Sequence, residues 1–149
     1  MASQAPTRSV GYSSTSTRSI TAGMVACSSG TAALHLALEA FRLPPGSEVL
    51  VPDYTMVACP RAVAMAGLTP VFVDCGDDLL VNPGLLTMHM MFVHVYGRRV
   101  RIEDFMLDPG AKMIEDLAEA HGVRPHPATD AACWSFYKNK IVAGEEGGA

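Results

Sequence analysis

Long apolar runs are missing from this chain: Gly, Pro or a charged residue interrupts every candidate before the roughly 20 residues that span a bilayer, so no membrane partner is expected. Positive charge is scarce as well. The 11 Lys and Arg residues face 15 Asp and Glu, the net charge is -4, and the one basic cluster is RRVR at 98–101, which argues against a nucleic-acid surface. Cys27, Cys59, Cys75 and Cys133 form no CxxC pair; within apolar stretches they read as buried free thiols of a reducing compartment. His35, His94, His121 and His126 show no metal-ligand spacing backed by cysteine or carboxylate, and no metal is expected. Neither GxGxxG nor GlyLysSer or GlyLysThr follows the first apolar run, so the dinucleotide and P-loop ways of holding a nucleotide are not supplied. Lysine occurs only at Lys112, Lys138 and Lys140.

What is present suits one compact domain: 149 residues with a hydrophobic fraction of 49% can build a real core. Residues 1–22 differ from the rest, being rich in Ser and Thr, with Arg8 and Arg18 and no acid before Glu39. That is the composition of a disordered tail. An organelle transit peptide is the lesser alternative, since no amphipathic helix accompanies it, and a cytoplasmic location is expected.

From Gly23 onward short β-type runs alternate with helical runs, the pattern of a mainly parallel sheet between helices, and the expected fold is a three-layer α/β/α one. Strands are predicted at 24–27, 48–52, 70–74, 91–96, 112–116 and 132–137. Most are continuously apolar, as strands buried on both faces should be. A helix is predicted over 31–41, where Leu34, Leu38 and Phe41 recur at helical spacing before the LPPG at 43–46 ends it. Met88, Met90, Met91 and Met113 read as core filler.

Ser28, Ser29 and Gly30 thus stand at a helix start. Free amides and the positive end of the helix dipole make that place a phosphate receptor, and an ordinary helix cap explains the same residues. Asp116 falls at the carboxyl end of a predicted parallel strand, where open α/β sheets gather ligand-binding residues; a solvated acid or helix cap is its plainer reading, and Glu115 suits that plainer reading better. Lys140 lies in the run SFYKNKIVAGEEGG at 135–148. An amine, a carboxylate for a ring nitrogen and donors for one phosphate are together what pyridoxal 5'-phosphate requires.

The blocks SSGTAAL at 28–34, VPDYTMVA at 51–58, LTPVFVD at 68–74, HVYG at 94–97, IEDLAEAHG at 114–122 and the lysine run resemble, in order, the DegT/DnrJ/EryC1/StrS family of sugar aminotransferases. The resemblance runs from about Met24 to the last residue. It implies the large domain of the aspartate-aminotransferase fold (type I) over 23–149, and a homodimer. It also implies transfer of an amino group from glutamate to a nucleotide-linked keto sugar for amino-sugar biosynthesis. By resemblance Lys140 is the catalytic and cofactor-attaching lysine, five residues after the motif serine, leaving Lys138 as a surface or phosphate-side cation. Lys112 is read as solvent-facing. Ser29, Gly30, Thr31 and Ser135 are implied at the phosphate, Asp116 at the pyridine nitrogen, Glu119 near the ring and its phenolic oxygen, and Met56 where many relatives stack an aromatic on the ring. His94 is taken as structural.

The resemblance also has gaps. The resemblance implies another strand and a whole second domain after GlyGlyAla, where the family continues, and the stretches 85–90 and 101–112 look too short for crossover helices. A catalytically inactive relative that keeps the fold for binding or assembly is therefore the alternative expectation.

Overall fold

The computed structural model describes residues 23–82, 85–86 and 88–149. The expected disordered tail over 1–22 lies outside the described residues. Helix α1 (Gly30–Phe41) begins at Ser29, whose Oγ accepts from the Ala32 amide at 3.1 Å. It ends where Arg42 turns left-handed and the prolines follow. Ala33, Leu34 and Leu38 form its buried stripe.

Strands β1 (Glu48–Pro52), β2 (Thr69–Val73), β4 (His89–Val93), β6 (Met113–Asp116) and β7 (Ala131–Cys133) make one parallel sheet in the order β2-β1-β4-β6-β7. Between β1 and β2 lies helix α2 (Ala58–Met65), which buries Cys59, Ala62 and Val63 and tolerates Pro60 because a first-turn amide has no intrahelical acceptor. A short parallel pair, β3 (Leu85–Leu86) with β5 (Met106–Leu107), stands apart from the main sheet.

Side chains alternate along each strand, so the sheet has two cores. On one face α1 and α2 pack over Val49, Val51, Met91, Val93, Ile114 and Cys133. On the other, Leu50, Met90, Phe92 and Met113 meet Val81, Val100, Ile102 and Phe105. That second face is covered by loops and a single 3-10 turn, Ile102–Asp104, with Phe92 and Phe105 edge to face at 5.0 Å. Among the described residues, the stretches expected to be too short for helices hold this turn, the β3–β5 pair and the first two residues of β4.

Three strand expectations need correction. Residues 24–27 are not a strand, because only Cys27 finds a neighbour: it exchanges backbone hydrogen bonds of 2.8 and 3.0 Å with Gly148, while Met24 and Val25 stay exposed. The run 132–137 leaves the sheet after Cys133, since β6 has ended and Trp134 pairs instead with Ala149. β4 likewise stops at Val93, because the chain turns at Tyr96 and Gly97, both with positive φ. Among the described residues no helix is long and apolar enough to cross a membrane.

Candidate active site

The carboxyl ends of β1, β4, β6 and β7 and the amino end of α1 surround a cavity of about 480 Å3. All eight residues singled out in the sequence line it: Ser29, Gly30, Thr31, Met56, Asp116, Glu119, Ser135 and Lys140. They come from segments more than a hundred residues apart, and the parallel sheet is what gathers them, since every strand delivers its carboxyl end to the same edge.

The amides of Gly30 and Thr31 open α1 without an intrahelical acceptor. Gly30 lies so close to Ser135 that a Cβ on it would stand 2.7 Å from the serine Cβ, which fixes the hydroxyl beside the helix start. Gly148 clamps the same place from behind, where a Cβ would meet the Ser29 carbonyl at 2.4 Å. His121 Nε2 donates to the Ser135 carbonyl at 2.9 Å and steadies the serine backbone.

Asp116 is 5% exposed, at the end of β6. Its Oδ1 accepts from the Ala118 amide at 2.9 Å, and its Oδ2 from the Cys59 thiol at 3.1 Å. Burial pushes its pKa up against the opposing pull of those donors and of Lys140 and His94. Lys140 Nζ stands 3.4 Å from Glu119 Oε1, with its side chain 11% exposed, and Glu119 Oε2 accepts from the Tyr96 amide at 3.2 Å. The Tyr54 and Tyr96 hydroxyls meet at 2.9 Å, and Met56 is exposed.

Several plainer readings fail. Glu115 is not a solvated acid: it is fully buried, and its Oε2 lies 2.9 Å from His94 Nε2. Because His94 Nδ1 accepts from the Val100 amide at 3.0 Å, Nε2 carries the proton and donates to the carboxylate. Thr129 Oγ1 and the His126 amide donate to Glu115 Oε1. Burial alone would raise the Glu115 pKa, yet these three donors outweigh it and hold the value below the ordinary carboxylate one. Lys112 is not solvent-facing either, for its Nζ is 2.8 Å from Asp130 Oδ1 and 5.6 Å from the centre of the Phe41 ring. Cys59 and Cys133 are buried, whereas Cys27 and Cys75 are half-buried; all four are free. Lys138 is exposed beside Tyr137.

No pattern in the sequence marks Cys59, which accepts from the Thr55 hydroxyl, as a partner of Asp116, because 57 residues separate the thiol from the carboxylate. Burial and the Asp116 charge hold the Cys59 pKa well above the ordinary thiol value, and burial, Asp116 and Cys27 push Cys133 up to about 12. Both thiols are protonated wherever the fold persists at ordinary pH. Among the described residues no group of three or more His, Cys, Asp or Glu side chains could hold a metal.

Known proteins resemble this chain. The GDP-perosamine synthase of Caulobacter vibrioides is 37% identical, over 83% of this chain and 38% of its own length. The dTDP-4-dehydro-2,3,6-trideoxy-D-glucose 4-aminotransferase of Saccharopolyspora spinosa is 34% identical, over 84% of this chain and 37% of its own. The chain thus spans under two-fifths of the length of these relatives. Among solved structures, DesV of S. venezuelae in complex with a ketimine intermediate superposes with a TM-score of 0.71 at 31% identity, over 83% of this chain and 38% of that one. NtdA of Bacillus subtilis, bound to the cofactor PMP, gives 0.74 at 26% identity, over 83% and 31%. The parallel α/β sheet is accordingly that of the aspartate-aminotransferase fold, type I. The model of the DegT/DnrJ/EryC1/StrS aminotransferase family matches residues 20–149, and the chain belongs to that family.

Proposed function

We propose that residues 23–149 are the cofactor-binding large domain of a pyridoxal-phosphate-dependent aminotransferase that moves an amino group from glutamate to a nucleotide-linked keto sugar. The observation that carries this reading is the convergence of Lys140, Asp116, Ser135 and the α1 start on one cavity. Names of relatives support the sugar: a GDP-perosamine synthase and a dTDP-sugar aminotransferase are among them.

The donor set fits the cofactor. Free amides at Gly30 and Thr31 with the Ser135 hydroxyl suit one phosphate, and the close approach at Gly30 leaves no Cβ in its way. Asp116 is buried, and each of its oxygens, with one donor named on it, keeps lone-pair capacity, which suits a protonated ring nitrogen. When bound, pyridoxal phosphate supplies an electron-accepting ring and an aldehyde that carries the amino group.

Asp116 would hold a proton on the ring nitrogen, favoured by the low dielectric around it. Lys140 would hold the cofactor through its amine and serve as the base that moves a proton at the substrate carbon. Glu119 restrains the Lys140 ammonium from 3.4 Å, and its other oxygen is tied to the Tyr96 amide, so the lysine is held toward the cavity. Ala58, Val93 and Val95 line the wall and limit water there.

A cytoplasmic homodimer belongs to this proposal. Met56 and Tyr96 line the cavity yet are exposed, as are Val57, Ile141 and Val142 nearby in sequence. A second copy would cover that apolar surface. The alternative, an inactive relative kept for binding or assembly, finds its support in Met56, a flexible and exposed side chain where a ring-stacking aromatic is implied.

The glutamate half-reaction separates the two. Protein loaded with pyridoxal phosphate and mixed with glutamate should release one equivalent of 2-oxoglutarate per site, and Lys140→Ala should release none. A loaded wild type that yields no 2-oxoglutarate would establish the inactive relative instead.

A further inference from the structure

We propose that Cys59 is a positioning residue for Asp116: its thiol, itself held by the Thr55 hydroxyl, turns the carboxylate toward the cavity as acceptor for a protonated ring nitrogen. The inference rests on the pyridoxal-phosphate reading and assigns a task to a residue outside the cavity lining.

Three side chains form a line. Thr55 Oγ1 donates to Cys59 Sγ at 3.1 Å, and Cys59 Sγ donates to Asp116 Oδ2 at 3.1 Å. With the Ala118 amide on Oδ1, both carboxylate oxygens are held, and each keeps lone-pair capacity for a further donor. The carboxylate therefore cannot rotate without losing a bond at one end. Cys59 sits on the second position of α2, 0% exposed, so helix packing fixes the sulfur.

The type of donor matters. A thiol is a weak donor, so it orients the carboxylate while leaving most of its basicity for another cation. Burial and the neighbouring Asp116 charge keep that thiol protonated, hence a donor. Cys59 and Thr55 face Asp116 from α2 and the turn before it, Cys133 from β7, His94 from beyond β4 and Lys140 from the last loop. Lys140 and His94 favour the ionised form, against burial.

Two variants of the full chain test the idea. Cys59→Val is close in size and has no donor; Cys59→Ser keeps one. Thermal melting first establishes that each is folded. In Cys59→Val the dissociation constant for pyridoxal phosphate should rise about tenfold, as expected for losing one hydrogen bond to a charged group, and the acid limb of binding should move to higher pH. Cys59→Ser should restore both. In cofactor-free protein, the S–H stretching band that disappears in Cys59→Ser should shift when Asp116→Asn is introduced.

Wild-type affinity and an unmoved acid limb in Cys59→Val, or an S–H band indifferent to Asp116→Asn, would overturn the proposal. A wild type that forms no complex would overturn the parent reading and this one with it. The two failures are told apart by the wild-type titration alone.

Discussion

Glu115 and Asp116 are neighbours on β6, yet alternation along the strand sends them to opposite faces of the sheet, and the two faces treat a buried carboxylate differently. On the loop-covered face Glu115 receives His94 Nε2–H, Thr129 Oγ1–H and the His126 amide, enough to hold its pKa low despite full burial. On the helical face Asp116 receives one amide and one weak thiol donor, and burial prevails. The first acid is closed by its own protein. The second has acceptor capacity left and opens on a cavity.

The largest expected effect breaks this contrast at its structural end. Glu115→Ala removes the acceptor of three donors, two of them buried, and should lower stability by about 3–5 kcal/mol in urea denaturation, as removing one partner from a buried polar network does. Asp116→Asn should leave stability near wild type or raise it, because the amide can still accept from Ala118 and donate to Cys59 Sγ, and it should abolish cofactor binding. Equal losses in the two variants would erase the distinction between the faces.

Gly30→Ala comes next. Its added methyl meets Ser135 Cβ at 2.7 Å, and the helix start and the serine must part. A fall in stability of about 1–3 kcal/mol is expected by thermal melting, with weaker binding of inorganic phosphate and of pyridoxal phosphate.

Acid titration sharpens the comparison further. A carboxyl whose folded pKa is depressed stabilises fully above its unfolded value, near 4.5 for Glu115, and that part is lost as pH falls through the lower folded value. Asp116 acts in the opposite sense: its folded pKa is raised above 3.8, so protonation relieves a cost and partly offsets the loss. Stability measured from pH 7 to 3 should therefore fall less steeply in Glu115→Gln than in wild type, and more steeply in Asp116→Asn. The smallest effect is expected for Lys112→Met, which breaks a partly exposed pair with Asp130 and should cost about 0.5–1 kcal/mol, less at high salt.

β1, β4 and β6 were legible because a parallel strand buried on both faces is a continuous apolar run, and β2, a partly exposed edge strand, was legible from its apolar VFV run; all four fall within two residues of expectation at their starts. α1 was legible from Leu34 and Leu38 at helical spacing. The eight cavity residues were found through ordered motifs, and the sheet edge explains why distant motifs converge. What escaped the sequence depends on partners far along the chain. Residues 24–27 look like a strand, but no neighbour reaches beyond Cys27. Glu115 looks like a solvated acid until His94, 21 residues away, is brought against it. Cys59 looks like filler for α2 until β6 places Asp116 beside it. The loop cover of the second face follows from Val100, Ile102 and Phe105, three apolar residues too irregularly spaced to announce an element.

The central claim, that Lys140 and Asp116 face one bound pyridoxal phosphate, is tested most directly by titrating the purified chain with that cofactor, followed by borohydride reduction and peptide mapping. The account predicts an absorbance band whose reduction fixes the pyridoxyl group on Lys140 alone, absent in Lys140→Ala. No band, or label spread equally over Lys112, Lys138 and Lys140, would contradict it.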